Sequence, residues 1–158
     1  MITHPMSNEQ VQQINDNLKK RMTGVVHFDI QIRFDPTGDC SIDRIDDHIA
    51  GLGHTRIDTQ WIELKKPDAE RLLTSILHKD MAYKCESMPL DLAHATTRLF
   101  LEQFSDTAKF FTNAEWHQDK GGVWSIQSWH PITEATFDSG IVVCDNQQIG
   151  MIWIEDED

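Results

Sequence analysis

His27 and Asp29 stand two residues apart in a segment of alternating character, with Gln31 and Arg33 beyond them. On a strand that spacing puts all four on one face. An imidazole beside a carboxylate is the minimal apparatus for moving a proton, so His27 and Asp29 are the candidate catalytic pair. The competing reading is a solvated polar face, which strand alternation produces without any chemistry. His48 and His54 flank Ala50-Gly51-Leu52-Gly53 near Asp46 and Asp47. They are the candidate metal ligands, although neither an H-E-x-x-H motif nor a pair of histidines four apart supports them. Asp35, Asp39, Asp43, Asp46 and Asp47 are dense in carboxylate oxygen. Their spacing does not fit a calcium loop, and Pro36 interrupts it, so a solvated acidic loop is the default.

Other reaction classes leave no trace. The chain contains no G-x-S-x-G, no phosphate loop and no G-x-G-x-x-G. No cofactor is expected, and the enzyme reading lacks a nucleophile, a metal box and a cofactor box. The three cysteines, Cys40, Cys85 and Cys144, form no C-x-x-C pair. They read as reduced thiols of a cytoplasmic protein.

Charge and aromatic residues say more. The net charge is −12, which opposes nucleic acid and anionic membranes because both are bound through Lys and Arg. It permits a basic protein partner, since opposite potentials steer encounter. Residues 121–158 hold no Lys or Arg and seven carboxylates. Trp116, Trp124, Trp129 and Trp153 lie in the same half of the chain. Tryptophan anchors interfaces, and surrounding carboxylates would select a cationic surface. The expected partner-binding set is therefore Trp116, Trp124, Trp129, Asp138, Glu155, Asp156 and Glu157. The alternative is that the indoles fill a sheet core and the terminal acids shield a strand end.

The elements that must position these groups follow from periodicity. Val11, Ile14, Leu18 and Met22 make a helical stripe that Ser7 could cap. Val26, Phe28, Ile30, Ile32 and Phe34 alternate with polar residues as a strand, and Asp35-Pro36-Thr37-Gly38 turns the chain. A short helix follows over 42–51, then a strand over 54–64. Pro67 opens a third helix and Pro89 a fourth. Segments 107–116 and 122–130 flank the loop Asp119 to Gly122. The last hairpin turns at Asn146-Gln147, which sets Cys144 opposite Ile149, Val142 opposite Met151 and Gly140 opposite Trp153. Both its faces are apolar, so it should be central and covered on two sides.

The expectation is a single domain over 1–158, of α+β class. It has a mainly antiparallel sheet of about five to six strands, three to four helices packed on one face and a C-terminal β meander. The leading function is a small acidic binding module, such as an immunity- or antitoxin-type inhibitor of a basic protein. The alternatives are a hydrolase-like enzyme, possible metal assistance included, and a structural subunit, for which a homodimer is allowed.

Overall fold

The computed structural model describes residues 8–33, 38–122 and 124–158. Ser7, and the predicted turn from Asp35 to Thr37, lie outside them. The fold is α+β, with a five-stranded antiparallel sheet and a separate two-stranded one. In chain order the elements are α1 (Asn8–Leu18), β1 (Val25–Ile32), α2 (Ile42–Gly51), β2 (Ile62–Leu64), α3 (Lys66–His78), α4 (Leu90–Leu101), β3 (Lys109–Thr112), β4 (Ala114–Gln118), β5 (Trp124–Trp129), β6 (Phe137–Cys144) and β7 (Gln148–Asp156). The main sheet runs β1-β7-β6-β3-β2.

The C-terminal hairpin forms its centre in the expected register. Cys144 opposes Ile149, Val142 opposes Met151, and Gly140 opposes Trp153. A side chain at Gly140 would overlap the backbone and indole of Trp153, so only glycine lets that ring lie flat across the strand. Alternation along β6 and β7 then feeds two cores. Ile141, Val143, Ile152 and Ile154 face α1, α3 and α4, where Ile14, Leu73, Leu77 and Phe100 meet them. Val142, Met151 and Trp153 face the other way, under Ile45 and Ile49 of α2, Ile57 and Trp61. Three helices thus cover one face and α2 the opposite one. A nearly all-apolar strand sequence demands such double cover.

Some boundaries shift for physical reasons. The first stripe stops at Leu18, and Met22 is exposed. The chain turns at Lys19–Lys20 so that Arg21 enters the core to meet Asp156. The predicted strand over 54–64 contracts to β2. Before it, buried Asp46 accepts from the backbone N–H groups of Ile57 (3.1 Å) and Asp58 (2.9 Å) and from Trp61 Nε1 (2.7 Å). That carboxylate folds the segment into a turn. Beyond β3, fully buried Asn113 moves the chain from the main sheet into the β4–β5 hairpin. Its Nδ2 donates to the carbonyls of His130 (3.0 Å) and Asp138 (2.9 Å).

The cysteines depart from the expected reduced set. Cys40 and Cys144 are disulfide-bonded, with Cα atoms 5.8 Å apart, and only Cys85 is free, on the surface. Periodicity could not reveal this, because the two are 104 residues apart in sequence and meet only once β6 is central. Closing so long a loop restricts the unfolded chain strongly. Reduction, or Cys40→Ser, is therefore expected to lower stability by about 2–4 kcal/mol. Denaturant titration of oxidised and reduced protein reads it directly, and coincident midpoints would refute it.

Candidate functional site

Strand β1 supplies the first half of the site. Val26, Phe28 and Ile30 turn toward α1 and α4, so His27, Asp29 and Gln31 turn toward α2. The pairing of β1 with β7 sets His27 opposite Trp153, Asp29 opposite Met151 and Val25 opposite Glu155. Residues directly opposite share a face, so Glu155 joins His27 on that side. The Glu155 carboxylate contacts His27 Nε2.

Helix α2 supplies the rest. Ser41 caps it by accepting from the Arg44 N–H at 3.2 Å. Ile45 and Ile49 then point at the sheet, which brings His48 down beside them. His48 Nε2 lies 2.7 Å from Asp29 Oδ2. The two atoms are buried and outside hydrogen-bond alignment, so the contact is one of opposed charge when the imidazole is protonated. Gly53, at φ +91°, reverses the chain, and the His54 N–H closes onto the Ile49 carbonyl at 3.0 Å. His54 is thereby returned to the sheet, edge-on to His27 with ring centroids 5.1 Å apart.

The structure therefore brings together His27, Asp29, His48 and His54, and adds Glu155. Burial, and then the neighbouring His27, lower the pKa of His54, with Glu155 and Asp138 opposing more weakly and His48 adding a little in the same direction. A folded state that resists this proton gains less from acid than the unfolded chain does. Stability should accordingly fall as pH drops below the ordinary histidine range of about 6.5. His54→Asn should flatten that slope, measured as Tm at about pH 7 and about pH 5. Parallel slopes for the two proteins would show that His54 carries no such linkage.

A histidine whose charged form burial disfavours, beside a second whose ring meets a carboxylate, is an arrangement through which a proton could pass. The neighbouring groove, of about 270 Å³, reaches His48 together with Gln31, Arg33, Arg44 and Asp47. Among the described residues no three His, Cys, Asp or Glu groups are arranged to hold a metal ion. His48 and His54 share the cluster without converging as ligands.

The aromatic and acidic set divides. Asp138 and Asp156 are buried, so neither carboxylate is available to a partner. Asp138 takes hydrogen bonds from Ile132 N, Thr133 N, Thr133 Oγ1, Asn113 Nδ2 and Trp153 Nε1. Asp156 is paired with Arg21. Trp116 and Ile126 pack against the helical core. Trp124 lies near Glu70 and Arg71 on one side and Lys79, Asp80 and Lys84 on the other, so its charged company is mixed rather than acidic. Trp129 lies in the stretch that holds no Lys or Arg. It stacks on Phe137 with centroids 5.1 Å apart, both rings half-buried. Glu157 accepts from the adjoining Thr136 through its N–H at 3.3 Å and its hydroxyl at 2.5 Å.

Local sequence pattern gives no sign that the acids at the ends of β6 and β7, Asp138, Asp145 and Asp156, are buried and anchor loops. Glu155, expected from the sequence to meet a partner, instead contacts His27; the two are 128 residues apart, so no local pattern pairs them. No helix among the described residues is long and apolar enough to cross a membrane. Comparison with known proteins adds no relative: no family model matches the chain, and no curated protein or solved structure is similar to it.

Proposed function

We propose that this chain is a protein-binding module for a basic partner, acting by occupancy as an immunity- or antitoxin-type inhibitor does. One observation carries the reading. The Trp129–Phe137 stack lies half-exposed at the end of the sheet, in a stretch without Lys or Arg, and Glu134, Glu157 and Asp158 stand exposed in the adjoining segments. A rigid aromatic pair offers contact area at low entropic cost, and carboxylates around it favour a cationic surface. Trp116, Trp124, Asp138 and Asp156 are not part of this smaller face.

The test immobilises the chain and its Trp129→Ala variant in native lysate. The reading expects a basic protein held by the wild type and lost from the variant, associating more slowly as salt rises. Retention of no partner, or association indifferent to ionic strength, would overturn it. The proposed setting is cytoplasmic. There the Cys40–Cys144 pair would meet reducing conditions, so thiol trapping of freshly lysed cells reports on the compartment.

A second reading is favoured by the convergence of His27, His48, His54, Asp29 and Glu155 from distant segments. It is acid–base hydrolysis at the α2–β1 junction. It expects turnover of ester or phosphodiester reporters with a bell-shaped pH profile, abolished by His27→Ala. Wild-type protein without turnover removes this reading.

A further inference from the structure

The two ends of the main sheet are unlike. Strand β2, at one end, is three residues long and followed by exposed Lys65 and Lys66. Short length and lysines are the usual guards against edge pairing. Strand β1, at the other end, is eight residues long and has neither lysine nor proline. Among the described residues it pairs with β7 alone.

The register shows which backbone groups the open edge presents. The Arg33 N–H donates to the Gln147 carbonyl at 2.8 Å, continuing the β1–β7 ladder. In an antiparallel pair alternate residues direct both their N–H and C=O to one side. Val25, His27, Asp29 and Gln31 therefore bond to β7. Val26, Phe28 and Ile30 direct theirs outward, and their side chains are only half-buried although they belong to the helix-side core. Beside them runs an open groove of about 370 Å³, in part lined by Leu18, Val26 and Phe28.

We infer that β1 pairs antiparallel with β1 of a second copy of this chain, about a two-fold axis at Phe28, to make one continuous sheet. Self-complementarity selects both occupant and register. With the axis at Phe28, each Phe28 opposes the other and Val26 opposes Ile30, and these are the residues whose backbone groups point away from β7. Between them fall the closer, non-hydrogen-bonded pairs, which set His27 opposite Asp29 of the second copy, twice by symmetry. Opposite charges directly across strands stabilise a pair and like charges oppose it. An axis at Asp29 would set that carboxylate against itself, and one at Ile30 would set His27 against Arg33. On the helix side, Ile30 of the second copy would lie beside Val26, under Leu18, in the open groove. His27 would then stand between Glu155 of its own chain and Asp29 of the other. This interface is separate from the Trp129–Phe137 face.

The full chain is tested by light scattering across dilution and by residue-resolved amide exchange. The expected mass is twice 18.2 kDa when concentrated, falling to the single-chain value on dilution. The amides of Val26, Phe28 and Ile30 should be slow to exchange only in the dimer, and those of His27, Asp29 and Gln31 slow in both states. Ile30→Pro removes an outward N–H that β7 does not use, a change edge strands tolerate. It should raise the dimer dissociation constant more than about tenfold while circular dichroism stays native. The inference is overturned by single-chain mass at every concentration. It is equally overturned by a dimer whose outward amides exchange freely, or by outward amides protected in the monomer. A folded Ile30→Pro protein that dimerises as the wild type does would also sink it.

Discussion

Asp138→Ala is expected to lower folding stability by about 3–5 kcal/mol and Tm by roughly 10 °C or more. The carboxylate is fully buried at the start of β6. Oδ2 takes the Thr133 N–H at 2.9 Å and the Thr133 hydroxyl at 2.7 Å. Oδ1 takes Asn113 Nδ2 at 3.1 Å, the Ile132 N–H at 3.2 Å and the Trp153 indole N–H at 3.2 Å. One side chain thus holds the loop between β5 and β6 against the sheet and fixes the rotation of the central tryptophan. Alanine would leave the Ile132, Thr133 and Trp153 donors without this acceptor, whereas Asn113 Nδ2 keeps the His130 and Asp138 carbonyls; a buried donor without an acceptor costs about 1–3 kcal/mol. The loop would relax to recover some of them, which is why the individual penalties do not sum. Asp138→Asn discriminates further. Its remaining oxygen can still serve Trp153, but its amide would face the Thr133 donors, so a loss of about 1–3 kcal/mol is expected. Chemical denaturation of the three proteins decides, and near-equal midpoints would show that this network does not hold the loop. Partner binding by Asp138 would predict the reverse: unchanged stability and weakened association.

Asp138 also shows what could be read from the chain and what could not. Its strand was legible, since the apolar run on both sides of Asn146-Gln147 fixed the register of the central hairpin down to Gly140 opposite Trp153. That run left no choice about burial, because neither face could meet water. Its own carboxylate looks like a surface charge in the sequence, because a lone acid in a strand carries no local mark of the donors that converge on it. The same limit applies to His27, Asp29, His48 and His54. Spacing along β1 put the first two on one face, and a flanking pattern paired the last two. Their meeting depends on α2 crossing the sheet over β1 and on β1 lying beside β7, which are tertiary facts. Cys40 and Cys144 were separable in sequence as odd thiols and became a pair only through the same topology. Charge was misleading in a different way. In sequence the acids of 121–158 suggest one negative field, yet Asp138, Asp145 and Asp156 are interior and serve as hydrogen-bond acceptors for loops. What remains outside at that end is the smaller group around Trp129.

Arg21 and Asp156 provide the second large effect. The guanidinium is bidentate to the carboxylate, at 2.8 and 2.9 Å, with both side chains essentially inaccessible. It also donates to the carbonyls of Thr23 at 2.7 Å and Ile76 at 3.0 and 3.2 Å, while Asp156 Oδ2 accepts the Met81 N–H at 2.9 Å. The pair therefore joins the end of β7 to the ends of α1 and α3. Gly24, at φ +74°, gives it room, since a Cβ there would overlap the carboxylate. Removing one partner strands the other charge in the interior, so Arg21→Met or Asp156→Leu alone should each cost about 3–5 kcal/mol. The double change strands neither and fills the space with apolar atoms, so it should be milder than either single change. A double variant as unstable as the sum of the singles would refute the coupling. The comparison with Glu157→Gln then separates structure from recognition. Glu157 is exposed, so that change should leave Tm within about 1–2 °C and slow association with a basic partner. Asp156→Leu should do the opposite, lowering Tm while the surviving folded fraction binds normally. Two neighbouring acids that look alike in sequence would thus fail in different assays, because one neutralises a buried cation and the other faces water.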